Sequence, residues 1–104
     1  MSGPFEIILG DPNTLMLQAL SEIFERDRRF ALIATAKTAE GFLESCLRVP
    51  AQIGIIEWNL PQLGAEKLLQ ILRDRPKAAR IIVYAGSSDA DIPRRALAAG
   101  AAGF

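Results

Sequence analysis

Two carboxylates and a pair of serines occupy the positions where this chain could do chemistry. Asp11 follows the apolar run Ile7-Ile8-Leu9 in the segment Gly10-Asp11-Pro12-Asn13, and Glu57 closes the run Ile53-Gly54-Ile55-Ile56 ahead of Trp58-Asn59-Leu60-Pro61. Gly86-Ser87-Ser88 follows a third run, Ile81-Ile82-Val83-Tyr84-Ala85. Short apolar runs of this kind are what a strand buried on both faces shows. In an open parallel sheet, ligands and reacting groups gather just beyond the carboxyl ends of the strands. Two carboxylates converging there suit a divalent cation or a phosphoryl group. The plain alternative is that Glu57 only closes a loop in solvent.

The rest of the composition narrows the chemistry. The chain has no histidine and one cysteine, which rules out an internal disulfide and leaves no case for a zinc site or a histidine-based triad. A metal here would be a hard ion held by oxygens, such as magnesium. Formal net charge is zero, so nothing points to nucleic acid or an anionic membrane surface. Half of the 104 residues are apolar, enough for one folded domain spanning 1–104. No run is long enough to span a bilayer and no basic, then apolar leader opens the chain, so a cytoplasmic location is expected.

Positioning the acids requires strands that alternate with helices, and the pattern supplies them. Phe5 to Leu9 reads as a first strand and Thr14 as the cap of a helix through about Arg26, with Leu15, Ala19, Leu20, Ile23 and Phe24 on one face. Phe30 to Ala36 is a second strand, followed by a helix from about Ala39 to Arg48 in which Cys46 is a small core residue. Ile53 to Ile56 is the third strand, and Gly64 to Asp74 a helix burying Leu68, Leu69 and Leu72, stopped by Pro76. Arg80 to Ala85 is the fourth strand; Asp89 caps a helix through about Ala99, ended by Gly100. Ala101 to Phe104 opens a fifth strand. This alternation predicts a doubly wound parallel α/β sheet with right-handed crossovers. With a flavodoxin-like strand order of 2-1-3-4-5, strands one and three are neighbours and Asp11 and Glu57 share one crevice.

These residues resemble the receiver domain of bacterial response regulators, closest to the branch joined to LuxR-type helix-turn-helix domains. The likeness runs along the whole chain. It is carried by Ile8-Leu9-Gly10-Asp11, by Glu57-Trp58-Asn59-Leu60-Pro61, and most specifically by Ala96-Leu97-Ala98-Ala99-Gly100-Ala101-Ala102-Gly103-Phe104. The resemblance implies a pair of magnesium-binding acids after strand one and an Asp after strand three that takes a phosphoryl group from a histidine kinase. It also implies a Thr or Ser ending strand four, and a Lys three residues beyond an aromatic on strand five. The Asp is the nucleophile, magnesium offsets charge on the transferring group, and the hydroxyl and ammonium hold its oxygens.

Carried over position by position, the likeness is incomplete. Asp11 matches the first acid and Pro12 stands at the second; a slip of one residue would put Gly10 at the first acid instead. Glu57 stands at the phosphoacceptor position and Ala85 where the hydroxyl belongs. Phe104 matches the switch aromatic, and the Lys would fall beyond it. A Glu carboxylate is displaced by a methylene, which misaligns an in-line attack, and losing one acid weakens magnesium binding. The expectation is an atypical pseudo-receiver, phosphorylation-independent and not an enzyme, acting through contacts with protein partners and regulating a transcriptional output domain. Such partners include a second copy in a homodimer or a histidine kinase, with DNA reached only through that output domain. No cofactor is expected; Asp11 and Glu57 are weak candidates for magnesium. Glu57 would partly mimic phosphoaspartate, with less charge and fewer oxygens than a phosphate, and Ala85 would leave room for Phe104 to turn inward. Alternatives are a decayed dimerising scaffold, a receiver phosphorylated on Glu57, and a small-ligand flavodoxin-like module using Asp11, Trp58 and Gly86-Ser87-Ser88.

The remaining features read more plainly. Arg26-Asp27-Arg28-Arg29 and Arg94-Arg95 are solvated helix ends, and Trp58 packs beside the third helix. Gly100 and Gly103 lack the strand-then-helix context of a dinucleotide fingerprint. Receivers add a fifth helix over the sheet face beside the first helix. A chain stopping at Phe104 with the last strand incomplete and that helix absent is expected to be a C-terminally truncated piece with an exposed apolar face.

Overall fold

The computed structural model describes residues 3–104, so the first two residues of the expected domain lie outside it. Four strands alternate with four helices: β1 (Phe5–Gly10), α1 (Thr14–Glu25), β2 (Phe30–Ala36), α2 (Ala39–Arg48), β3 (Ile53–Glu57), α3 (Ala65–Arg73), β4 (Arg80–Tyr84) and α4 (Ile92–Ala99). All strand pairs are parallel and the order is β2-β1-β3-β4, the flavodoxin-like order with β1 and β3 side by side. The expected fifth strand is a correction: the chain after α4 makes one parallel bridge, Ile82 to Gly103, and the sheet has four strands. The Ala102 N–H donates to the Ile81 carbonyl at 2.7 Å and the Val83 N–H to the Gly103 carbonyl at 3.0 Å. Ala101-Ala102-Gly103 offers no β-branched side chain to extend that pairing.

Side chains alternate across the sheet and sort into two unequal clusters. Ile8, Ile56, Ile81 and Val83 face α2, α3 and α4, where Phe42, Leu68, Leu69 and Leu72 complete the larger core. Ile7 and Leu9 face α1, where Leu17 is buried and Leu20, Phe24, Ile53 and Ile55 are half-buried. Phe42 is wedged so tightly that a Cβ added at Gly54 would lie 2.7 Å from its Cζ and 2.6 Å from Ile81 Cδ1. A Cβ at Gly10 would meet Phe42 Cδ2 at 2.9 Å. Both glycines are therefore required by the close approach of this one ring.

The helix boundaries depart from expectation where two capping residues compete. Asn13, not Thr14, caps α1, its side chain accepting from the Met16 N–H at 3.1 Å. The α1 stripe that meets the sheet is Leu17, Leu20 and Phe24, while Leu15 and Ile23 are 74% and 61% exposed. Asp89 does not cap α4. It accepts from the Asp91 N–H at 2.9 Å in a turn, and the helix begins at Ile92 with Pro93 in its first turn. Thr38 caps α2 through the Gly41 N–H at 3.0 Å, and Gly64, with φ of 87°, leads into α3. Cys46 packs against the larger core as expected, and burial pushes its thiol up to about 11. Among the described residues no helix is long and apolar enough to cross a membrane.

Candidate functional site

Strand register brings the two expected acids together. Gly10 pairs with Ile56, and the Asp11 N–H donates to the Ala36 carbonyl at 3.0 Å, carrying the ladder one residue past β1. Alternation then places Asp11 on the same sheet face as Ile7 and Leu9, and Glu57 on that face with Ile53 and Ile55. The third member was not anticipated from the sequence. Tyr84 pairs directly with Glu57 across β3 and β4, so its side chain emerges on the same face. Its hydroxyl donates to Asp11 Oδ2.

The two carboxylates have opposite environments. Asp11 is 3% exposed and both its oxygens are engaged: Oδ1 accepts from the Asn13 N–H at 2.7 Å and Oδ2 from Tyr84. Glu57 is half-buried and turns back onto its own loop, where Oε2 accepts from the Asn59 N–H at 2.6 Å. Burial, the bond to Asp11 and the charges of Asp11 and Glu57 all raise the Tyr84 pKa above the ordinary tyrosine value, so the phenol is a neutral donor. The Tyr84 carbonyl accepts from the Trp58 N–H at 2.8 Å, so the backbone of Tyr84 is tied to the Glu57 loop while its hydroxyl reaches Asp11.

Magnesium takes near-octahedral oxygen ligands. These residues do not fit it: Asp11 has both oxygens committed, Pro12 brings no oxygen on its side chain, and Glu57 is folded onto Asn59. Among the described residues no group of three or more His, Cys, Asp or Glu side chains could hold a metal ion.

The other expected residues are placed less centrally. Ala85 follows Tyr84 at the end of β4 and offers no hydroxyl. Phe104 is 49% exposed, so it is not buried beside Ala85 as the inward position requires. Gly86-Ser87-Ser88 is exposed, and the Ser87 hydroxyl accepts from the Asp89 N–H at 3.1 Å, which commits it to the lead-in of α4. Trp58 packs against the larger core, with the Arg95 guanidinium of α4 5.3 Å from the ring centroid. Arg95 also pairs with Glu66 of α3. A groove of about 470 Å³ beside Trp58 is lined by Pro61, Gln62, Lys67 and Arg95 but includes neither Asp11 nor the serine turn. A second cavity of about 190 Å³, lined by Cys46, Val49, Leu72 and Ala79, lies at the amino-terminal end of the sheet, away from the acids.

Tyr84 could have been found from the sequence by one signal. Arg80, Ile82 and Tyr84 alternate with Ile81 and Val83, so the polar tip of Tyr84 ends the strand on the face that carries Glu57.

A family model described as the response regulator receiver domain matches residues 7–104. A probable transcriptional regulatory protein, SgaR of Hyphomicrobium methylovorum, is 29% identical over all 104 residues, and the chain spans about half (49%) of its length. The receiver domain of the putative response regulator NarL from Mycobacterium tuberculosis superposes with a TM-score of 0.94 at 16% identity, covering 99% of this chain and 83% of that one. A LuxR-family two-component response regulator from Aurantimonas sp. gives 0.88 at 23% identity, over 97% and 72% of the two chains. At these identities the two structures show the fold.

Proposed function

Because the chain belongs to the response regulator receiver domains, we propose that it is a receiver that signals through protein contacts without a phosphorylation cycle. The observation that carries this reading is the state of the two acids. Phosphoryl transfer to a carboxylate needs a free, aligned nucleophile and a cation that offsets charge on the transferring group. Here Glu57 holds the acceptor position but is turned onto the Asn59 N–H, and Asp11 is already satisfied by protein donors. Ala85 supplies no hydroxyl to hold a phosphoryl oxygen.

On this reading Glu57 contributes a fixed charge and a fixed loop geometry, and the domain stays in one signalling state. The exposed surface of α4, with Arg94 and Leu97, is a candidate contact for a second copy or another protein. The regulatory role of the matched relative, twice as long as this chain, supports a transcriptional output domain as the element controlled. DNA would be met through that domain. Incubating the chain with magnesium and a small-molecule phosphodonor, then measuring intact mass, tests the proposal. The expected mass is unchanged; an acid-labile gain of one phosphoryl group on Glu57 would overturn it. The fixed-charge role is tested separately with Glu57→Gln and Glu57→Asp, which should alter partner binding or self-association.

A further inference from the structure

We propose that Tyr84 closes the acidic crevice to divalent cations, its hydroxyl occupying the position on Asp11 that an ion would otherwise take. The inference rests on the reading of this chain as a receiver, and it names the residue that enforces the closure. β1 and β4 are separated by β3, so Asp11 and Tyr84 sit about 10 Å apart in backbone terms, two inter-strand spacings. A serine or threonine at position 84 could not span that gap. A tyrosine spans it and ends in a donor, and a phenylalanine fills the same space without one.

The geometry makes Tyr84 more than a passing contact. Its register partner is Glu57, so its side chain leaves the sheet beside Glu57, on the side away from Asp11, and its hydroxyl reaches across to Asp11. Its backbone carbonyl is fixed by the Trp58 N–H, and its hydroxyl takes the one Asp11 oxygen that the Asn13 N–H leaves free. Asp11 is almost fully buried, so a cation could reach Oδ2 only by displacing this hydroxyl. A buried carboxylate needs partners, and here neutral protein donors supply them in place of a metal. Removing the hydroxyl while keeping the ring leaves Oδ2 unpartnered beside Glu57.

The test compares the unaltered chain with Tyr84→Phe and with Tyr84→Phe/Asp11→Asn. Manganese or magnesium chloride is titrated in and the emission of Trp58, the only tryptophan, is recorded. The unaltered chain should show no saturable change through the millimolar range of weak oxygen-ligand sites. Tyr84→Phe should show a saturable change at least about tenfold below the highest concentration tried, lost again in the double variant. A saturable response of the unaltered chain that Asp11→Asn abolishes would overturn the proposal. So would a Tyr84→Phe chain that is folded by circular dichroism yet silent. If Tyr84→Phe does not fold, Tyr84→Leu carries the same two outcomes. No phosphodonor is present, so this result stands apart from the mass measurement: a chain phosphorylated without a metal would sink the functional reading and leave the closure intact.

Discussion

On the side of the sheet that meets α2, α3 and α4, Phe42, Ile56, Leu68 and Val83 are entirely buried. On the α1 side, among the described apolar residues, only Ile7 and Leu9 reach that state, with Leu17 nearly so, and Ile82 and Ile23 stand 41% and 61% exposed. Asp11, Glu57 and Tyr84 all belong to this thinly covered side by strand alternation. The contrast separates two jobs. One face fixes the frame through close packing, and the other carries polar groups whose arrangement depends on a few hydrogen bonds and can be altered without disturbing the frame.

If that division is right, substitutions should differ in scale by face. Phe42→Ala removes a wholly buried ring from the larger core and should destabilise by about 3–5 kcal/mol, read from the shift of a urea unfolding curve. A cost near that of an exposed site would break the comparison. Tyr84→Phe should cost less, about 1–3 kcal/mol, because it leaves a buried Asp11 oxygen without its donor while keeping the ring volume. Its pH dependence sharpens the assignment. The folded chain holds the Tyr84 proton more tightly than the unfolded chain, so this contribution is intact below the ordinary tyrosine value near 10 and is lost as pH rises above it. Cys46, raised from 9.0 to about 11 by burial, acts in the same direction. Unfolding midpoints should therefore fall through the alkaline range, and the fall should be shallower in Tyr84→Phe. Smallest of all, Ile82→Thr on the open face should shift stability by no more than about 0.5 kcal/mol. A larger loss would mean that this face is covered in solution.

The parts of the molecule legible in the sequence are those governed by short-range pattern. The alternation of strands with amphipathic helices gave a parallel α/β sheet, and with a flavodoxin-like order Asp11 and Glu57 share one crevice, as the pairing of β1 with β3 bears out. Alternation along β4 places Tyr84 on one strand face, but its contact with Asp11 was not legible, because that partner lies 73 positions away across an intervening strand and only the register reveals it. The caps failed for a local reason. Asn13 beside Thr14 is a residue of similar capping strength, and at α4 no side chain caps the helix: Asp89 closes a turn and Asp91 accepts from Arg94. The small residues after α4 make a single bridge and do not extend into a fifth strand.

The narrow seat of the Phe42 ring against Gly54 has a consequence for descent. Gly54 stands three residues before Glu57 on the same strand, and any side chain there would collide with Phe42 and Ile81. Heritable change in that strand is therefore filtered by folding itself, whatever the domain is used for. Positions 12, 57 and 85 at the strand tips are exposed or half-buried and lie outside that close contact. Changes at those tips can alter the chemistry of the crevice while the strand beneath them keeps its packing.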